Sequence, residues 1–147
     1  MPERTNLKIA AILYQPSQGP GVDEILQALT ADLKARHVRL AGAVQWNTAQ
    51  ACGPCSDMVL EDLASGTRIS VSEDRGPMAK GCRLNSSALE EVAGLTLASI
   101  RPGVELVIIN KFSKSEAEGA GLRQVIEAAA VAGIPVLAGL NATHRAA

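Results

Sequence analysis

Leu7-Lys8-Ile9-Ala10-Ala11-Ile12-Leu13 is followed by Tyr14-Gln15-Pro16-Ser17-Gln18-Gly19-Pro20-Gly21, and then by Val22, Ile25, Leu26, Leu29 and Leu33. The first run is short, continuous and aliphatic, as a buried strand is. The second is dense in turn formers. The third repeats at helical spacing and predicts an amphipathic helix to about Arg36. Arg39 to Gln45 returns to a strand, which completes a β-α-β unit.

The same alternation resumes further along. Ser87-x-x-Glu90 fits a capping box ahead of a helix whose face carries Leu89, Val92, Ala93, Thr96, Leu97 and Ile100, with Pro102-Gly103 as its stop. Val104 to Ile109 reads as a second buried strand, with a loop from Asn110 to about Glu116. A helix through Leu122, Val125, Ile126 and Ala129 then closes at Gly133, before a last strand from Ile134 to Ala138. Between these units, Trp46 to Ser56 reads as a polar loop. Asp57 to Ala64 and Thr67 to Ser72 flank Ser65-Gly66 as a hairpin, although Met58 to Leu63 is ambiguous between strand and helix. Glu73 to Asn85 is a loop carrying Arg75, Lys80 and Arg83. His37, at the end of the first helix, is expected to interact with its last carbonyls.

Composition limits what such a chain can do. Of 147 residues, 47% are hydrophobic but only 2% aromatic, so the core is aliphatic. A net charge of -1 leaves no electrostatic footprint for nucleic acid or an anionic membrane. No apolar stretch approaches the roughly 20 residues that span a bilayer. The opening Met1-Pro2-Glu3-Arg4-Thr5-Asn6 lacks the pattern of a signal peptide, so a cytoplasmic location and free thiols are expected.

A glycine-rich turn between a buried strand and a helix can aim backbone amides at an anion. The full phosphate loop ends Gly-Lys-Ser/Thr, with Lys on the outer phosphates and the hydroxyl on magnesium. Here Gly19-Pro20-Gly21 stands at its end, Val22 holds the lysine position and Asp23 the hydroxyl position. Pro20 removes one amide. Two readings are open: an anion site built on Gln18, Gly19 and Gly21, or a tight turn after which Asp23 only caps or charges the helix start.

Several segments together resemble an uncharacterised bacterial family related to small P-loop nucleoside-triphosphatases and loosely associated with molybdate-uptake genes. They are the Gly-x-Gly loop, Arg39-Leu40-Ala41-Gly42-Ala43-Val44-Gln45, Asp57-Met58 with Gly66, Gly81-Cys82-Arg83-Leu84-Asn85, Ile109-Asn110-Lys111-Phe112 and Glu116-Ala117-Glu118-Gly119. The resemblance covers nearly the whole chain. It implies a single α/β domain over 1–147, with three layers and a mainly parallel sheet of the P-loop type carrying an inserted hairpin. The triphosphatase relatives place an acidic pair after the strand matching Val104 to Ile109, where this chain has Asn110 and Lys111. Losing lysine, hydroxyl and carboxylate together removes most of the electrostatic stabilisation that phosphoryl transfer needs. Asn110-Lys111 is also similar to the guanine-reading Asn-Lys-x-Asp of GTPases, but Ser113 stands at the Asp position.

The expected function is therefore a regulatory protein that binds a nucleotide or an oxyanion such as molybdate or tungstate, not an efficient hydrolase. Its ligand contacts are expected from Gln18, Gly19, Gly21, Val22, Asp23, Arg83, Asn110 and Lys111, with magnesium not held by a standard site. A weak magnesium-dependent triphosphatase is the first alternative, with Glu116 and Glu118 as catalytic candidates; as loop carboxylates before a helix, both are equally N-terminal caps. The second alternative is a thiol redox or metal sensor. Cys52-Gly53-Pro54-Cys55 matches the thioredoxin tetrapeptide, and Cys82 with His144 would complete a Cys3His set. Against both stands the reading of Cys82 as a small buried hydrophobe and of Cys52 and Cys55 as unligated loop residues, which is favoured over metal binding. Partners consistent with the main reading are a small anionic ligand and either a second copy or a transporter-linked protein.

Overall fold

Side chains that alternate between two apolar environments are what a sheet covered on both faces requires, and the central strands show this residue by residue. In β2 (Leu40–Ala49), Ala41 and Ala43 enter one buried cluster while Leu40 and Val44 enter another; in β5 (Leu106–Phe112), Val107 and Ile109 part from Ile108 in the same way. The computed structural model describes residues 8–49, 56–71, 86–112, 119 and 121–141. Helix α1 (Gly19–Ala35) covers one face with Val22 and Leu26. Helices α2 (Ser86–Ala98) and α3 (Arg123–Val131) cover the other with Leu89, Val92, Ala93, Val125 and Ala129. The result is the expected three-layer α/β architecture.

The sheet has six strands, in the order β1-β6-β5-β2-β3-β4, where β1 is Ile9–Tyr14, β3 Ser56–Asp62, β4 Arg68–Ser70 and β6 Val136–Asn141. The four strands from β1 to β2 are parallel, and the hairpin β3-β4 extends them antiparallel from β2. The ambiguous segment at Met58 to Leu63 is strand as far as Asp62. Its turn is held by Asp62, whose carboxylate accepts from the Ser65 hydroxyl (2.6 Å) and amide (3.1 Å), with Gly66 left-handed at φ 76°.

Several expected boundaries move. β2 continues to Ala49, so Trp46 lies in a strand opposite Val59, not in a loop. β5 runs through Asn110, Lys111 and Phe112, which were also read as loop; its pairing with β6 resumes at Phe112↔Leu140 beyond the bulge, so the strand extends past the aliphatic run. α1 starts at Gly19, so Asp23 lies beyond its first turn. Ser87 falls inside α2, and the Glu90 carboxylate accepts from the Gly121 amide at 2.8 Å instead of completing a capping box. His37 takes the left-handed position after α1 at φ 60°, and its backbone amide donates to Lys34 O.

Gly42 is a position where only glycine fits. Its φ is +106°, and a Cβ there would lie 2.0 Å from the Ile108 carbonyl oxygen on β5. Gly42→Ala combines a left-handed side chain with a clash against backbone. It should cost at least about 3 kcal/mol, or roughly 10 °C in Tm, measured by urea and thermal unfolding.

Candidate functional site

The carboxyl ends of the parallel strands are where an open α/β sheet presents its ligand site. β1 ends there at the buried Tyr14. The link to α1 is a tight turn: the Gln18 amide donates to Gln15 O (2.8 Å), and the Gln18 side-chain Oε1 accepts from the Gln15 amide (2.9 Å). Two of the loop's amides are thus committed internally, and Pro16 and Pro20 have none. Gln18, the N-cap residue, makes no side-chain cap to the helix. In the first turn of α1, Gly19 and Gly21 carry amides that have no i−4 partner inside the helix. Gly21 is exposed, and a Cβ there would meet nothing within 4 Å, so packing does not demand a glycine.

The lysine position points the other way. Val22 is only 4% exposed, and its Cγ1 sits 3.1 Å from where a Cβ on Gly139 would be. Contact between Val22 and a ligand is limited to its backbone.

Asp23 and Asn110 meet beneath the turn, at 1% and 0% exposure. Asn110 Nδ2 donates to Asp23 Oδ1 at 2.6 Å, and Asn110 Oδ1 accepts from the Gln45 amide at 2.9 Å. The Gln45 carbonyl in turn accepts from Gln27 Nε2 on α1 at 2.6 Å. Sequence reasoning missed Gln27 and Gln45 altogether. Nothing in a lone glutamine at either position signals its role, and only the meeting of α1 with β2 reveals it.

Two local features put Asn110 there. The regular β2-β5 pairing runs from Leu40↔Leu106 to Ala43↔Ile109, so just beyond it the Asn110 side chain receives the next β2 amide. In addition, β5 fits two residues between Ile109 and Phe112 where β6 fits one between Ala138 and Leu140, a bulge of the kind that re-aims side chains beside sites. The Gln45 amide can only donate, which fixes the asparagine's oxygen toward β2 and its NH2 toward Asp23. Asp23 and Asn110, separated by 87 residues in sequence, are thereby joined as a brace and enclosed away from solvent.

The Asp23–Asn110 pair, as it is bonded, does not suit magnesium. A cation between these positions would face an amide NH2, which carries positive charge toward it, and the hydroxyl ligand is absent. Among the described residues, no group of three or more His, Cys, Asp or Glu comes together as a metal site. Arg68 is engaged elsewhere: its Nε lies 2.8 Å from Glu61 Oε1, and its guanidinium is 4.9 Å from the Trp46 ring centroid. Cys52, Cys55, Cys82, Arg83, Glu116, Glu118 and His144 lie outside the described residues, as does the side chain of Lys111.

Over 91% of this chain and 76% of the other, the fold superposes on the solution structure of a human cancer-related nucleoside triphosphatase, with a TM-score of 0.63 at 18% identity. The chain shares the α/β fold of that protein. It belongs to the family described as protein of unknown function DUF2478, whose model matches residues 9–147. It is also 38% identical over 130 residues to the molybdenum import ATP-binding protein ModC 2 of Bradyrhizobium diazoefficiens. That match takes in 88% of this chain but spans only 14% of the relative's length. No helix among the described residues is long and apolar enough to cross a membrane.

Asn110→Asp tests the brace. Two buried carboxylates would then face each other, and one would keep a proton that the unfolded chain releases. The variant's stability should therefore fall as pH rises from about 4 toward neutral, and at pH 7 it should lie about 3 kcal/mol below wild type. Magnesium should restore part of that loss. Equal wild-type and variant stability at pH 7, by urea unfolding, would contradict the geometry.

Proposed function

We propose that this chain is a nucleotide- or oxyanion-binding regulatory module whose degenerate Walker motifs bind without hydrolysing efficiently. The observation that carries the reading is the 2.6 Å hydrogen bond from Asn110 to Asp23. The two positions that hold magnesium in the triphosphatase relatives are occupied by each other. A phosphoryl-transfer site needs a cation and a lysine against the developing charge. This site has an amide and a core valine in their places, which supports binding over turnover.

Binding draws on what is left. The N-terminus of the 17-residue α1 carries a partial positive charge, and Gly19 and Gly21 lie in its first turn. Likeness to an ATP-binding protein and to a nucleoside triphosphatase fold favours a nucleotide; the molybdenum-import name of the first favours molybdate or tungstate as the competing ligand. Because the matched segment is a small part of that importer component, the single domain of residues 1–147 is read as one regulatory module that acts with, or is appended to, a transporter ATPase in the cytoplasm.

Isothermal titration calorimetry with ATP, GTP, phosphate, molybdate and tungstate tests this directly. One of them should release heat with saturation, and Trp46 fluorescence should change over the same range. Absence of heat with all five would sink the proposal. Gly21→Ala should lower the measured affinity at least tenfold while leaving Tm unchanged or slightly raised, since alanine is the better helix former by about 1 kcal/mol. Phosphate release from ATP with magnesium should stay at background.

A further inference from the structure

The two edges of the sheet are treated very differently. β4, at one edge, has only three residues, and its Arg68 is pinned to Glu61 and lies over Trp46. Short length and a fixed charge are how proteins keep other strands from pairing. β1, at the other edge, is Ile-Ala-Ala-Ile-Leu-Tyr, with no charge, proline or glycine over six residues. Among the described residues it pairs only with β6.

The apolar surface continues on both sides of this edge. Ile9 and Leu13 are 48% and 51% exposed, and Ala11 between them is exposed as well. All three point to the face opposite Ile12 and Tyr14, which pack under α1. On α1 itself, Asp23, Gln27 and Lys34 reach β5, β2 and β3 through Asn110, the Gln45 carbonyl and Glu61. Ile25 lies about 200° around the helix from Asp23, so it faces the β1 flank, where it is 54% exposed. Three large aliphatic side chains thus border a strand that, among the described residues, is an edge of the sheet.

We infer that β1 is a homodimerisation edge, on which β1 of a second copy pairs antiparallel to continue the sheet. The strand is self-complementary for this purpose. A two-fold axis perpendicular to the sheet keeps each face on its own side, so residues of equal parity oppose each other. With the axis at Ala11, Ile9 faces Leu13 of the second copy, and Leu13 faces its Ile9. The small alanines meet at the centre and the large side chains meet at both ends, which is the cross-strand pairing that stabilises antiparallel sheets. Two strands of roughly 20 Å with Ile9, Leu13 and Ile25 from each copy bring the contact to the lower end of specific interfaces, about 1,200 Å². The copies run in opposite directions, so the two Gly19–Gly21 turns lie at opposite ends of the joined sheet and both stay accessible. The inference is independent of what those turns bind.

Sedimentation equilibrium of the 147-residue chain from micromolar to submillimolar concentration tests it. A monomer–dimer equilibrium is expected. Ile9→Lys and Leu13→Lys should each weaken it at least tenfold, while circular dichroism confirms the fold; Val131→Lys, at an 89% exposed position on α3, should leave it unchanged. Ala11→Cys, with Cys52, Cys55 and Cys82 replaced by serine, should cross-link between copies under oxidation or with a short bismaleimide. A wild-type chain that stays monomeric throughout would overturn the inference, as would a dimer indifferent to both lysine variants. If the lysine variants fail to fold, a dimer in which Ala11→Cys does not cross-link overturns it equally.

Discussion

The hydrogen bond between the Asn110 amide and the Asp23 carboxylate is the contact around which this site is organised. It ties α1 to β5 and, through the asparagine's oxygen, to the first β2 amide beyond the β2-β5 pairing. A buried carboxylate is costly unless its lone pairs are met. The amide from the neighbouring strand meets one of them and links the helix to the sheet. The Gln27 bond to the Gln45 carbonyl repeats the link one turn further along α1. The short turn from Gln15 to Gln18 leads into this end of α1.

This arrangement also explains why the individual departures from a phosphate loop belong together. Reinstating a lysine at Val22 would not recreate a phosphate grip, because that side chain points at β6, where Gly139 leaves it room and where a Cβ would also lie 2.6 Å from the Asn110 carbonyl. The valine, the glycine and the asparagine form one packed unit. A single reversion meets the remaining two.

Much of the fold was legible because its signals are local. The aliphatic run before Tyr14, the helical spacing from Val22 to Leu33 and the left-handed glycines at Gly66 and Gly133 each act within a few residues. Boundaries set by partners were not legible. Asn110 and Lys111 look like loop residues until Phe112 pairs with β6 beyond them, and Trp46 looks like loop until β3 pairs with it. The site was legible in composition but not in geometry. Sequence named Asp23 and Asn110 as departures at the metal positions; that they bond to each other across 87 residues is a property of the folded chain. Gln27 and Gln45 carried no sequence signal, since glutamine is unremarkable on a helix or at a strand end.

In the proposed function an amide takes the cation's place, so that the anion binds without a metal. Calorimetric titration of the wild-type chain with ATP and with molybdate, in excess magnesium and again in EDTA, measures this most directly. Equal affinity in the two buffers, within about threefold, is expected for the ligand that binds. Affinity that appears only with magnesium would show that the Asp23–Asn110 bond opens to admit a cation, and would contradict it.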